Sequence, residues 1–233
     1  MSDSIAVVAG VGPGLGASLV RQFAAYGMRV VAAARNATQL TDLKNKLGDR
    51  VYLYDCDLTS EQAVSSLFEH VDTLGTLEAA IYNAGGFQRA RVIDIDPADF
   101  EQCWRVGCYG GLLFAQAAGQ RLQGQGKGTI LFTGATASLR GGAGFANLAS
   151  PKFALRALAQ SLARELAPEG VHVAHAIIDG QIRSDQYDHL MEERGPDSLL
   201  DPDAIAAQYL QVHQQPRSAW TFELDLRPWT ERF

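Results

Sequence analysis

The chain has 233 residues, of which 47% are hydrophobic and 20% charged, with a net charge of -6. This length suits one large α/β domain, so we expect a single domain over residues 1–233. The mild acidic balance argues against a nucleic-acid surface. No segment reaches the roughly 18 apolar residues that span a bilayer, so no membrane partner is expected.

The N-terminus and the cysteines bear on the cellular compartment. The first residues lack a basic stretch followed by a sustained apolar one, which a secretory signal would have. Cys56, Cys103 and Cys108 form no CxxC pair and are expected to be buried thiols in a reducing compartment. A cytoplasmic location is therefore expected.

Apolar stretches of strand length alternate with amphipathic stretches of helix length. The predicted strands are residues 4–9, 28–34, 51–56, 77–82, 129–133, 171–178 and about 219–226. The predicted helices are residues 14–26, 36–47, 60–74, 97 to about 122, 147–166 and about 203–212, with Asn36 and Ser60 as N-caps. Repeated βαβ units predict a doubly wound parallel sheet of the Rossmann type, with helices on both faces.

A glycine-rich turn joins the first strand to the first helix, where residues 9–16 read AGVGPGLG. Glycines permit a tight turn and let the backbone approach a pyrophosphate, and the helix N-terminus offers free N–H groups. We therefore predict a dinucleotide site that includes Gly10, Gly12, Gly14, Leu15 and Gly16. The alternative is a glycine-rich connection that binds nothing.

The end of the second strand distinguishes the two nicotinamide dinucleotides. NAD-binding proteins place an Asp or Glu about 20 residues past the glycines, on the ribose hydroxyl. This chain has Ala33 and Ala34 followed by Arg35. A guanidinium pairs with a 2′-phosphate, so NADP(H) is the predicted cofactor. Arg35 as an ordinary surface cation is the alternative.

Over nearly its whole length the chain resembles the short-chain dehydrogenase/reductase family. The glycine turn matches that family's TGxxxGxG motif, with Ala9 in place of Thr. Further features at the family's order and spacing are Asp57-Leu58 after the third strand, Asn83-Ala84-Gly85 after the fourth, and Lys152 in the helix after the fifth. The resemblance implies that these residues bind the cofactor and that Lys152 belongs to the active site.

The loop after the sixth strand matches the family's PGxxxT motif only in part. Asp179 replaces the Pro and Ser184 replaces the Thr. The resemblance implies that Gly180 and Ile182 contact the nicotinamide carboxamide.

The resemblance also implies an Asn, a Ser and a Tyr in catalysis, with Tyr donating a proton to the carbonyl oxygen. The Tyr position, four residues before Lys152, holds Leu148, and no Tyr occurs between Tyr109 and Tyr187. The Ser and Asn positions fall at Ala135 and Gly107. The sequence therefore predicts a non-standard active site.

Four polar residues remain as candidates for the missing proton donor, namely Tyr109, Thr136, Ser138 and Ser150. The five histidines show no metal or triad spacing, and no metal site is expected.

We expect an NADP(H)-dependent oxidoreductase that acts on a small-molecule carbonyl or enoyl substrate. The alternative is a catalytically silent protein that binds the dinucleotide in a regulatory or scaffold role. Binding independent of a dinucleotide would need an occluded glycine turn, for which Pro13 is the only indication. Residues 184–200 are expected to form a mobile substrate lid. The last strand is expected at a sheet edge, in a homo-oligomer (dimer or tetramer).

Overall fold

A seven-stranded parallel sheet forms the centre of the protein, whose computed structural model describes residues 4–231. The strands are β1 (Ser4–Ala9), β2 (Arg29–Ala34), β3 (Val51–Asp55), β4 (Thr76–Tyr82), β5 (Thr129–Thr133), β6 (His172–Ile178) and β7 (Glu223–Leu226). Their order is β3-β2-β1-β4-β5-β6-β7. Because the order reverses between β1 and β4, a crevice opens at the carboxyl ends of these strands, where α/β proteins bind ligands.

Eight α-helices cover the two faces of the sheet in the described part of the chain. They are α1 (Leu15–Tyr26), α2 (Thr41–Leu47), α3 (Glu61–Leu74), α4 (Pro97–Trp104), α5 (Gly110–Gln125), α6 (Ala146–Leu166), α7 (His189–Arg194) and α8 (Pro202–His213). The doubly wound α/β fold predicted from the sequence is confirmed.

Two of the predicted helices differ from the observed ones. The long helix that begins at Pro97 is interrupted by a five-residue π-helical segment, Arg105–Tyr109, between α4 and α5. The helix expected from residue 36 begins as a 3₁₀ turn, Ala37–Leu40, before α2. Asn36 makes no capping bond to the backbone, because its Oδ1 accepts from the Thr38 hydroxyl at 2.5 Å instead.

The other local predictions hold more closely. Ser60 caps α3, its hydroxyl accepting from the Ala63 N–H at 3.3 Å. The last strand, Glu223–Leu226, is shorter than predicted and pairs with β6 at the sheet edge. Cys56 and Cys103 are buried, Cys108 is half-buried, and all three are free thiols.

The core consists of two apolar layers, because a parallel sheet covered by helices is buried on both faces. Along β1, Ile5 and Val7 face the layer that contains Phe114, while Val8 faces the layer that contains Phe23. All of these side chains are fully buried. No helix within residues 4–231 has the length and apolar character that crossing a membrane requires.

Candidate functional site

The glycine turn lies against the end of β4. The N–H groups of Gly10 and Val11 both donate to the carbonyl of Ala33 in β2, at 3.0 and 3.1 Å. Gly10 has a φ of +85°, and a Cβ placed on it would lie 2.6 Å from the backbone of Ala84. A Cβ on Gly16 would lie 2.7 Å from Val11 Cα. The packing of the protein itself therefore requires glycine at residues 10 and 16.

The other two glycines of the turn face open space. A Cβ on Gly12 or Gly14 would meet no atom within 4 Å, so the protein's own packing does not require glycine there. Pro13 between them is exposed and does not occlude the turn. Gly14 is the N-cap of α1 and supplies no side-chain capping bond, and Leu15 behind it is buried. The turn and the helix N-terminus thus leave room for a phosphate group to approach the backbone.

A cavity of about 440 Å³ brings together most of the residues expected to bind the cofactor. Those on its lining are Gly10, Gly12, Arg35, Asp57, Leu58, Asn83, Ala84 and Gly85. Gly14 lines a neighbouring cavity together with Pro13 and part of the 184–200 segment. The sequence did not indicate the opposite wall of the first cavity, where Phe87, Gln88, Gln102, Cys103 and Val106 lie.

Asn83 is held by a chain of hydrogen bonds that ends in the core. Its Nδ2 donates to the Gly10 carbonyl at 3.0 Å, and its Oδ1 accepts from the Thr133 hydroxyl at 3.0 Å. The Thr133 hydroxyl also lies 2.9 Å from that of Tyr209, which must then be the donor because Thr133 has only one proton. Complete burial raises the pKa of Tyr209, so the phenol keeps its proton. The chain fixes the amide of Asn83 beside the glycine turn.

Arg35 and Asp57 lie at the rim of the cavity. Asp57 accepts from the backbone N–H of Thr59 at 2.9 Å and from its hydroxyl at 2.8 Å. The hydrogen bond from the Thr59 backbone has the largest effect on the pKa of Asp57 and lowers it. The bond from the Thr59 hydroxyl and the positive charge of Arg35 lower this pKa further. The guanidinium of Arg35 is exposed, as binding a solvent-facing phosphate would require.

Lys152 lies on α6 and is buried, with 6% of its surface exposed, and its side chain extends to the end of β5. Its Nζ donates to the Thr133 carbonyl at 2.6 Å, and a Cβ placed on Gly85 would lie 3.7 Å from this nitrogen. Burial lowers the pKa of Lys152 to about 8. The Lys152 nitrogen is thus next to Gly85, which lines the 440 Å³ cavity, and Thr133 forms hydrogen bonds with both Lys152 and Asn83.

The side chains at the expected Tyr and Ser positions carry no transferable proton. Leu148 lies on α6 one turn before Lys152 and is half-buried. Ala135 follows β5, and its N–H donates to the Ser138 hydroxyl at 3.1 Å.

Gly107, at the expected Asn position, packs against α6. A Cβ on Gly107 would lie 2.6 Å from Pro151 Cβ, so no larger side chain fits without movement. Pro151 is the sixth residue of α6 and lies beyond its first turn.

The four candidate proton donors have different surroundings. The Tyr109 ring stacks on Trp104, and Ser150 is exposed on α6. Ser138 is fully buried, and its hydroxyl lies 3.5 Å from His175 Nε2. Thr136 is half-buried and donates its hydroxyl proton to a carboxylate, which is described below.

A buried polar network that the sequence did not indicate supports the loop after β5. His175 on β6 lies between the Ser138 hydroxyl and Glu223 Oε2, which is 3.2 Å from its Nδ1. Glu223 on β7 forms two hydrogen bonds with Arg156 of α6, at 2.6 and 2.7 Å. Burial lowers the pKa of His175 to about 4 and outweighs the opposing effect of Glu223. His175 is therefore neutral and structural.

Gly180 and Ile182 do not line the 440 Å³ cavity. Gly180 has a φ of +148°, and a Cβ on it would lie 2.8 Å from Pro228 Cδ. Ile182 forms a parallel bridge with Leu200, so the chain just before the 184–200 segment lies beside the end of that segment. The segment contains α7. Across residues 4–231 no group of three or more His, Cys, Asp or Glu side chains could hold a metal ion.

Comparison with known proteins agrees with this architecture. The family described as short chain dehydrogenase matches residues 4–194. A solved short-chain dehydrogenase from Rhodopseudomonas palustris is 37% identical, with a TM-score of 0.87 over 98% of this chain and 100% of that one. A metagenomic short-chain oxidoreductase solved in complex with NADP is 24% identical, with a TM-score of 0.85 over 98% of both chains.

A curated relative gives the same assignment. An uncharacterized oxidoreductase of Staphylococcus aureus is 28% identical over 230 residues, which cover 98% of each chain. The sheet order, the glycine turn and these matches agree. The chain belongs to the short-chain dehydrogenase/reductase family, whose members bind a nicotinamide dinucleotide, and is an oxidoreductase of that type.

Proposed function

We propose that this chain is an NADP(H)-dependent oxidoreductase with a non-standard active site, acting on a small-molecule carbonyl or enoyl compound. The observation that carries the proposal is the open glycine turn at Gly12 and Gly14, because Gly12 lines the same cavity as Asn83 and Gly85 and Lys152 Nζ lies behind Gly85. A bound cofactor would supply or accept the hydride. The chain's own residues would bind it, orient the substrate and move the proton.

The preference for NADP(H) rests on Arg35. No acidic side chain ends β2, where one would repel a 2′-phosphate, and the exposed guanidinium lines the cavities on both sides of that strand end.

Substitution of Arg35 tests the cofactor preference. Arg35→Ala is expected to weaken NADPH binding by about 1.5–3 kcal/mol, which is the contribution of a hydrogen bond to a charged group. NADH has no 2′-phosphate, so its binding should be nearly unchanged. Fluorescence titration of both cofactors measures this. Arg164→Ala, on the exposed end of α6, is the matched control. An equal loss for the two cofactors would show that Arg35 does not bind the 2′-phosphate.

Lys152 would contribute its positive charge to the nicotinamide ribose, the role that the family likeness gives it. Its Nζ is fixed by the Thr133 carbonyl and lies beside Gly85, so little reorganisation would be needed on binding. Leu148 has no proton to give, and general acid catalysis typically contributes about 10²–10⁴-fold in rate. A proton donor elsewhere in the site is therefore required for efficient carbonyl reduction.

A second candidate function is a catalytically silent protein that binds dinucleotide as a regulator or scaffold. Leu148, Ala135 and Gly107, in place of three proton-handling side chains, favour it. The cofactor residues support both candidates equally, so only turnover distinguishes them.

The deciding experiment combines NADPH titration with NADPH oxidation against a panel of carbonyl and enoyl compounds. Tight binding with turnover of a panel member supports the oxidoreductase. Tight binding without turnover on any compound supports the silent alternative, and failure to bind NADPH would refute both.

Three further features complete the proposal. We infer that residues 184–200 act as a lid, because this segment lines a cavity of about 1040 Å³ together with Pro13 and Gly14. A homo-oligomer and a cytoplasmic location remain predictions. Light scattering of the purified protein measures the first, and cell fractionation the second.

A further inference from the structure

Two polar side chains meet at the carboxyl ends of β5 and β6, on the side of the sheet where Lys152 lies. Thr136 begins the 3₁₀ turn that follows β5, directly after Ala135. Asp179 directly follows β6, 43 residues further along the chain. The Thr136 hydroxyl donates a short hydrogen bond to Asp179 Oδ1. A hydroxyl paired with a carboxylate therefore lies next to the residue that occupies the expected Ser position.

The Asp179 carboxylate is buried, with 5% of the residue exposed. A carboxylate without partners would be very unfavourable there. Its Oδ2 lies 3.1 Å from Arg227 Nη2, and this same nitrogen lies 2.5 Å from Asp225. The Asp179 carboxylate therefore accepts the Thr136 hydroxyl on one oxygen and faces the Arg227 guanidinium with the other.

The other candidate hydroxyls lack this arrangement. Ser138 is fully buried and bonded to the Ala135 N–H, so a substrate cannot reach it. Tyr109 lies in the π-helical segment with Arg105 over its ring, 5.3 Å from the centroid. Ser150 is exposed and has no carboxylate partner among the contacts of the described chain. Thr136 is half-buried, so part of its surface remains accessible.

We propose that Thr136 and Asp179 form a proton relay that replaces the missing tyrosine. In the oxidation direction the substrate hydroxyl gives its proton to Thr136 Oγ1 while Thr136 gives its own proton to Asp179 Oδ1. The hydride on the carbinol carbon passes to NADP⁺. The products are the carbonyl compound, NADPH and a protonated Asp179, which then releases its proton to water. Reduction runs the same steps in reverse.

This relay assigns different roles to the two residues. Thr136 is the catalytic residue, because its oxygen contacts the substrate oxygen. Asp179 acts through Thr136 and is a positioning and proton-storing residue. The inference rests on the proposed oxidoreductase function, because a silent protein would need no relay.

The test uses the full chain with its active panel compound and four variants. Thr136→Val removes the hydroxyl at nearly constant shape, and Thr136→Ser keeps it. Asp179→Asn removes the charge. Ser161→Ala, which removes an exposed hydroxyl further along α6, is the control. Thermal melting and NADPH titration establish that each variant folds and binds cofactor.

The relay predicts that Thr136→Val lowers kcat by about 10²–10⁴-fold, with KM and NADPH affinity within about threefold of wild type. Thr136→Ser restores most of kcat, and Ser161→Ala leaves it unchanged. Asp179→Asn lowers kcat and leaves KM and NADPH affinity near wild type, because an amide oxygen cannot take up the proton. A purely structural role would also change KM or cofactor affinity, and the serine variant would not restore kcat.

Solvent isotope effects give a second, independent readout. Two protons move together in the relay, so the wild-type rate should depend non-linearly on the deuterium fraction of the solvent. In Thr136→Val, the plot of rate against deuterium fraction should become linear. The isotope effect of deuterated NADPH on carbonyl reduction should remain, because hydride transfer does not involve Thr136. Unchanged kcat in Thr136→Val, or in Asp179→Asn, would overturn the relay alone. Absence of NADPH binding or turnover in the wild type would overturn the proposed function and the relay together.

Discussion

Gly10 and Gly12 lie two residues apart in the same turn, and substituting each by alanine should have opposite consequences. A methyl group on Gly10 would lie 2.6 Å from the backbone of Ala84, and the φ of +85° is unfavourable for any residue with a Cβ. A methyl group on Gly12 would meet nothing within 4 Å, and its φ lies outside the left-handed region. Gly10→Ala should therefore destabilise the fold, and Gly12→Ala should affect only the ligand.

The magnitudes follow from these contacts. A left-handed non-glycine residue costs about 1–2 kcal/mol, and overpacking typically adds about 1–3 kcal/mol. Gly10→Ala should lower the free energy of unfolding by about 2–5 kcal/mol. At about 2–4 °C per kcal/mol for a chain of this size, Tm should fall by roughly 5–20 °C. Gly12→Ala should stay within about 0.5 kcal/mol of the wild type.

The binding assay completes the comparison. If the pyrophosphate approaches the backbone at Gly12, the added methyl group should weaken NADPH at least about tenfold, which is about 1.4 kcal/mol. Thermal melting with and without NADPH measures both effects in one experiment. Wild-type NADPH affinity in Gly12→Ala would refute the pyrophosphate contact at the glycine turn, and an unchanged Tm in Gly10→Ala would refute the packing argument.

Two further substitutions test the surroundings of the site. Gly107→Asn, which restores the expected Asn, should destabilise the protein by about 1–3 kcal/mol through its contact with Pro151. When added to Gly107→Asn, Pro151→Gly should recover part of this loss in urea titrations, whereas Pro151→Ala should not, because Ala keeps the contacting Cβ. Wild-type stability of Gly107→Asn would contradict the packing argument. The pKa of His175 is lowered to about 4 in the folded protein, against about 6.5 in the unfolded chain. As the pH decreases, the unfolded chain therefore binds a proton at His175 before the folded protein does, and the free energy of unfolding should fall between about pH 6.5 and 4. His175→Gln should flatten that part of the stability–pH curve, and an unchanged slope would show that another group titrates there.

Much of the fold could be predicted because buried parallel strands are continuous apolar segments. β1 and β5 match their predicted bounds, and the glycine turn lies between β1 and α1 as expected. The π-helical segment Arg105–Tyr109 could not be predicted, since apolar spacing continues through it. A one-residue change in the hydrogen-bond pattern leaves little trace in residue composition.

The parts of the site that the sequence missed depend on contacts between distant residues. Gly107 and Pro151 are 44 positions apart in the chain, and only the packing of α6 on the π-helical segment brings them together. The Thr136–Asp179 pair likewise requires β5 and β6 to be neighbours. Asp179 was visible in the sequence as a departure from the family's Pro, whereas its burial and its bond to Thr136 were not.

The proposed relay separates cofactor binding from proton transfer, because different residues would support the two. At the end of β5, the Thr133 carbonyl accepts from Lys152 Nζ and the Thr133 hydroxyl donates to Asn83 Oδ1. The relay would begin three residues later, at Thr136, with support from β6 and from the end of β7 through Asp179. A change at Thr136 should then lower turnover and leave the cofactor in place, whereas a change at Thr133 should affect both. On this proposal, Leu148 at the family's Tyr position bears on turnover and not on dinucleotide binding.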